Sequence, residues 1–170
     1  MLMILRNVSI VIILKLAIVH DQQKRKKMYD NQTELKLIGL IGSKKFENKR
    51  FIQDFIFELK KYNKNNDIEI STSGRRDGAE KYIRKYALDF DFLFREYNPT
   101  NTPYTLYSAL PKGSYLRIDQ KNPELHRDKK LSEHIDILYI FKYKDETLDE
   151  FNHVIQCMST LNKPYEIINV

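Results

Sequence analysis

The segment Ser73-Gly-Arg-Arg-Asp-Gly-Ala-Glu80 packs two glycines, two guanidiniums and two carboxylates into eight residues. Arg75 and Arg76 carry donors that match phosphate oxygens in a planar fork. The β-branched run Ile68-Glu-Ile-Ser-Thr72 precedes the segment, and Ala79, Tyr82, Ile83, Tyr86 and Ala87 follow at helical spacing. That order reads as strand, tight turn, helix N-terminus. Such a junction aims backbone N–H groups and the positive end of a helix dipole at one spot, so an anion is favoured there. A phosphate-bearing nucleotide is the expected occupant, held by Ser73, Gly74, Arg75, Arg76 and Gly78. The competing explanation is a turn that needs positive φ at its glycines, with Asp77 capping the helix. The segment is not a P-loop, because no Gly-Lys-Ser/Thr closes it, and the third glycine of the dinucleotide fingerprint is missing.

Other groups fall at the ends of neighbouring apolar runs. Gly42-Ser43 offers bare backbone and a hydroxyl to a phosphate, and Asn98, Asn101 and Thr102 can read base or ribose edges. Glu80 is the acid fixed beside the glycine turn. It serves either as a general acid or base or as a first-turn carboxylate favoured by the helix dipole. Arg127, with Lys129 and Lys130, adds cations that either contact an anion or form a solvated face. No metal is expected, because His20, His126, His134 and His153 lack paired-ligand spacing. No cofactor is read from the sequence, and no Gly-x-Ser-x-Gly elbow is present. Cys157 sits among Val154, Ile155, Met158 and Leu161 and reads as a core residue. As the single cysteine, it forms no internal disulfide and fits a reducing, cytoplasmic compartment.

The elements that must position these groups alternate between strand and helix from Leu35 onward. Strands are expected at 35–42, 68–72, 92–97, 135–141 and 165–170, and helices at 48–62, 77–90, 126–134 and 148–161. A long polar loop covers 98–124. Repeated strand–helix units imply a Rossmann-like, doubly wound α/β domain, with a mostly parallel sheet of about five strands and helices on both faces. Ligands in that architecture sit at the carboxyl ends of the strands, where the candidate groups lie. Residues 1–34 form a separate apolar, then basic, segment ending in Lys24-Arg-Lys-Lys27. Arg6, Asn7 and Lys15 interrupt it, so its apolar runs fall short of the ~20 residues of a membrane span. It reads as a dispensable extension upstream of Met28, with an anchor or a packed amphipathic element as alternatives. Of the formal net charge of +6, three charges lie in residues 1–34 and three in 35–170. The larger part is nearly balanced, which suits a small anionic ligand better than a nucleic-acid surface.

The run Ser73 to Phe90, followed by Glu96-Tyr-Asn-Pro-Thr-Asn-Thr102 and Leu106-Tyr-Ser108, resembles the YspA/cpYpsA-related branch of the SLOG superfamily. That branch carries a strand-one Gly-Ser and an aromatic, matched by Gly42, Ser43 and Phe46. Its Ser-Gly-Gly-x-x-Gly-Ala-Asp-like turn is matched by Ser73, Gly74, Gly78, Ala79 and Glu80. A later Arg-Asn-x-x-(Ile/Leu)-x-x-x-x-Asp stretch is matched by Arg127, Leu131 and Asp136. The resemblance covers residues 36 to about 170. It implies a Rossmann-like fold that binds nucleotides or nucleotide-derived ligands, with N-glycosidic or phosphoester hydrolysis as its enzymatic version. A non-catalytic sensor or sequestering module is the alternative, and single-stranded nucleic-acid binding is a third. Membrane association is not expected, and self-association stays open. Arg75 replaces the second glycine and Asp128 the asparagine, and the phosphoribohydrolase signature Pro-Gly-Gly-x-Gly-Thr-x-x-Glu is absent.

Overall fold

The computed structural model describes residues 35–62, 68–99, 102–109 and 122–170. The chain divides into two units, Met1–Thr33 and Glu34–Val170, and the fold set out here is that of the second. The expectations for residues 1–34, and for Asn101 and residues 110–121 of the polar loop, lie outside the described residues.

Five strands alternate with helices: β1 (Lys36–Gly42), α1 (Lys49–Tyr62), β2 (Ile68–Thr72), α2 (Gly78–Asp89), β3 (Leu93–Glu96), α3 (Pro123–His134), β4 (Ile137–Lys142), α4 (Asn152–Thr160) and β5 (Tyr165–Asn169). A single 3₁₀ turn, Asp149–Phe151, leads into α4. The sheet order is β3-β2-β1-β4-β5, and every pairing is parallel. Each strand is reached through a helical crossover, as parallel neighbours require. β1 and β2 read as continuous apolar or β-branched runs because both faces of the sheet are covered.

The alternation of side chains along β4 assigns the two faces. Leu138 and Ile140 join Ile41, Leu131, Ile135, Phe151, Val154 and Met158 in one core, under α3 and α4. Tyr139 and Phe141 point the other way and meet Phe55 of α1 edge to face, with ring centroids 5.4 and 5.0 Å apart. Helices therefore cover both faces. Phe46 stands 5.1 Å from Tyr143 in a stacked pair and 6.2 Å from Phe141, so it belongs to this second core.

Most element boundaries lie within two residues of those expected. Helix α3 differs, starting at Pro123 rather than 126, because a proline at the first helical position costs no hydrogen bond and presets φ. The 148–161 helix begins as a 3₁₀ turn and becomes α-helical at Asn152. Cys157 is half-buried on the flank of α4 rather than in its core. Among the described residues, no helix is long and apolar enough to cross a membrane.

Candidate functional site

The chain leaves β1 toward β2 and returns to its other side as β4. Their carboxyl ends therefore diverge at the switch point where open α/β sheets bind ligands. Gly42 ends β1 there, and the hydroxyl of Ser43 donates to Glu146 Oε1 at 2.6 Å. Tyr143 N donates to the other Glu146 oxygen at 2.9 Å. Buried Lys142 donates to the carbonyls of Tyr143 and Glu146 at 2.9 and 2.8 Å. The loops after β1 and β4 are thus fastened to each other, and the Ser43 hydroxyl is committed to that fastening.

The turn after β2 takes the expected form. Gly74 and Gly78 have φ of +81° and +53°, a region that glycine enters without the Cβ penalty. At Gly78 a Cβ would stand 2.1 Å from the carbonyl oxygen of Ser43. This contact lets Ala79 N donate to Ser43 O at 3.2 Å, so the start of α2 is held by β1's loop. The side chain of Asp77 makes no cap hydrogen bond, which corrects the capping role expected of it. Gly78→Ala is expected to destabilise the domain by about 2 kcal/mol, from the left-handed backbone penalty and the displaced loop. Urea unfolding of the full chain checks it, and an unchanged midpoint would contradict the close approach.

What occupies the centre of this turn is a carboxylate of the protein itself. Glu80 is 1 % exposed. One oxygen accepts from the Ser73 hydroxyl at 2.6 Å and the other from Arg75 N at 3.2 Å. Gly74 N donates to Thr72 Oγ1 at 3.3 Å. The Ser73 and Arg75 donors expected to greet a phosphate are therefore satisfied within the turn. Burial is the dominant influence on Glu80, and it outweighs Arg75, the Ser73 hydrogen bond, Arg127 and the Arg75 amide. The carboxyl pKa is raised to about 7.

Arg75 reaches across the crevice. Its Nη1 donates to Gly42 O at 3.4 Å and to Glu150 Oε2 at 3.0 Å, which joins the β2 turn to the start of α4. Burial works against its charge, but Glu80, Glu150 and Asp77 outweigh it and raise its pKa above the ordinary value. Arg76 turns the other way, toward Glu96 at the end of β3, 3.7 Å from its Oε2. Glu96 is itself buried and also accepts from Arg84 and Thr105, each at 2.6 Å. Because β3 lies two strands from β1, Arg76 is directed away from the crevice. Arg76→Ala is expected to change stability by less than about 0.5 kcal/mol, since its side chain is 41 % exposed. Ligand affinity should also hold within about threefold, as read by calorimetry.

Arg127 enters from α3 with only 5 % exposure. Its Nε and Nη2 donate to Asp128 Oδ1 at 2.8 and 2.6 Å. Its Nη1 is buried and has no hydrogen-bond partner among the described residues. The charge of Arg127 favours the ionised form of Glu80, which ties it to the same cluster. The other Asp128 oxygen lies 3.3 Å from His153 Nδ1, and His153 Nε2 is 3.8 Å from Cys157 Sγ. Burial, then the Asp128 charge, pushes the Cys157 thiol up, so this thiol is not an activated nucleophile.

The structure thus brings Gly42, Ser43, Ser73, Gly74, Arg75, Gly78, Glu80 and Arg127 to the carboxyl edge of β1, β2 and β4. Phe46 is 0 % exposed and offers no surface to a ligand. Asn98 is fully buried; its side-chain carbonyl accepts from Ser108 at 2.7 Å, securing the loop after β3. Asp136 accepts from Leu37 N at 3.0 Å, at the amino end of β1, so it serves the sheet rather than the site. Sequence reasoning missed Glu150, Glu146 and His153. Their position just after β4 was a usable signal, because that is another strand end at the switch point. Among the described residues, no cluster of His, Cys, Asp and Glu could hold a metal ion.

This architecture makes the chain a Rossmann-like, all-parallel α/β protein with a polar cluster at its switch point. Two solved structures share the fold. One is the molybdenum cofactor binding protein of Rippkaea orientalis, with a TM-score of 0.56 at 12% identity, over 82% of this chain and 79% of that one. The other is the molybdenum cofactor carrier protein of Chlamydomonas reinhardtii, with a TM-score of 0.55 at 13% identity, over 79% and 76%. No protein-family profile matches the sequence, and no curated protein does.

Proposed function

We propose that residues 35–170 bind a phosphate-bearing small molecule, a nucleotide or a nucleotide-derived compound, in the crevice between β1 and β4. One observation carries this reading: the buried guanidinium of Arg127, whose Nη1 has no partner among the described residues. A buried donor left unpaired costs about 1–3 kcal/mol, more when charged, and is retained where a ligand completes it. Guanidinium suits an oxyanion. Gly42, at the end of β1, lets α2 and β4 close on this point: a Cβ there would stand 2.5 Å from Ala79 Cβ and 2.7 Å from the Phe141 carbonyl oxygen. The resemblance of the 73–80 turn to the YspA/cpYpsA-related branch supports the same class of ligand.

Binding without turnover is the version we favour. Glu80, its pKa raised to about 7 by burial, is suited to proton transfer, yet both of its oxygens are held by Ser73 and Arg75. Single-stranded nucleic acid is disfavoured as a partner. Tyr97 is buried, and Tyr107 is covered by Arg84 at 5.5 Å on its face and by Phe94 at its edge. A cytoplasmic setting fits the unpaired cysteine.

Native mass spectrometry of the full chain, purified without denaturation, tests the reading. It is paired with a thermal-shift panel of nucleotides, inorganic phosphate and molybdenum cofactor, the ligand named for the two proteins of like fold. A co-purifying or stabilising nucleotide is expected, recovered with its mass unchanged. No bound species and no shift would overturn the proposal, and a cleaved product would replace the binding version with the hydrolytic one.

A further inference from the structure

We propose that an anionic ligand enters this crevice together with one proton, which is taken up by the Glu80 carboxylate. The inference rests on the anion-binding reading above and adds how that site is regulated.

The argument begins with a charge count. Two guanidiniums, Arg75 and Arg127, act among three carboxylates: Glu80, whose ionised form both favour, Glu150 on Arg75 and Asp128 on Arg127. Asp77, on the exposed side of the turn, adds a further negative charge that acts on Arg75. His153 of α4 touches the cluster through Asp128. Beyond the Ser43 loop, Glu146 is held by Ser43 and Tyr143. With Glu80 ionised, the carboxylates outnumber the two guanidiniums by one before any ligand arrives, and with Glu80 neutral the count is even. An incoming oxyanion that takes up Arg127 Nη1 competes with Glu80 for the same positive charge.

Of the three carboxylates, Glu80 is the one that yields. Glu150 is partly exposed, and water screens its charge. Asp128 holds two direct guanidinium contacts and the imidazole. Among the described residues, Glu80 has hydrogen bonds only from a hydroxyl and an amide; it is the most deeply buried of the three, and burial raises its pKa to about 7. A neutral Glu80 still accepts from Arg75 N, and its proton remains within reach of Ser73 Oγ, so the turn keeps its shape. The crevice then presents two guanidiniums to two carboxylates and the ligand.

Calorimetric titration of the full chain with inorganic phosphate and with adenosine 5′-monophosphate, in buffers of different ionisation enthalpy, reads the proton directly. The expected result at pH 8 is uptake of close to one proton per ligand bound. Affinity should fall about tenfold per pH unit between 7 and 9. Glu80→Gln should bind without proton uptake and with a flat profile over that range. Should this variant not fold, infrared difference spectra of the wild-type chain give the same answer, through a protonated-carboxyl band that grows as ligand is added. Binding with a buffer-independent heat, or uptake that persists in Glu80→Gln, overturns the inference and leaves the binding reading standing. If neither probe binds at pH 6 or 8, both fall.

Discussion

Arg127→Lys is expected to fold and to lose ligand affinity by about tenfold to a hundredfold, the range for a lost hydrogen bond to a charged group. Lysine keeps the positive charge that Asp128 and Glu80 need, but it cannot serve Asp128 through two nitrogens and still offer a third outward. Arg127→Met removes the charge as well. Among the described residues, Asp128, only 6 % exposed, would retain just His153 at 3.3 Å, and breaking a buried pair in this way costs about 3–5 kcal/mol. The methionine variant should therefore lose both stability and binding, and the lysine variant mainly binding. Calorimetry paired with urea unfolding separates the two. A lysine variant that binds as tightly as the original chain would mean that Arg127 Nη1 meets no ligand.

The second large effect is a gain. Glu80→Gln is expected to raise the unfolding free energy at pH 8 by about 3 kcal/mol, with the advantage shrinking toward pH 5. The sign follows from the raised pKa. Below 4.5 the carboxyl is protonated in the folded and the unfolded chain, and it contributes no difference. Between 4.5 and 7 the unfolded chain ionises freely while the buried group resists, so stability falls as pH rises. Above 7 the folded protein carries the whole cost of a buried charge. Glutamine has the same shape, accepts from Arg75 N through its carbonyl and donates to Ser73 Oγ, and never ionises. Denaturant unfolding at pH 5 and pH 8 decides the matter. A variant that is no more stable than the original at pH 8 would mean that Arg75 and Arg127 already compensate the charge.

Much of the architecture was legible in the sequence because its cues are local. Ala79, Ile83, Tyr86 and Ala87 repeat at helical spacing, and Ile68 to Thr72 is a short β-branched run, so α2 and β2 were placed to within a residue at each end. Glycine at 74 and 78 announced the turn, and both have positive φ. Alternation of strand and helix then implied a parallel sheet, since parallel neighbours need a crossover. What the sequence could not supply was which side chain would occupy the anion position of that turn. Glu80 does so because helix α2 turns it back onto Ser73 and Arg75. The same limit applies to Phe46, which the family resemblance carried to the ligand site. It proved to be a core residue because β4, ninety residues later in the chain, sets Phe141 and Tyr143 beside it. Arg75 meets Glu150 75 residues away, and Arg127 shares a cluster with Glu80, only because β1 lies between β2 and β4. Periodicity and turn chemistry are set by neighbours in sequence. The charges that tune one another across the switch point are set by strand order, which the tertiary fold alone decides.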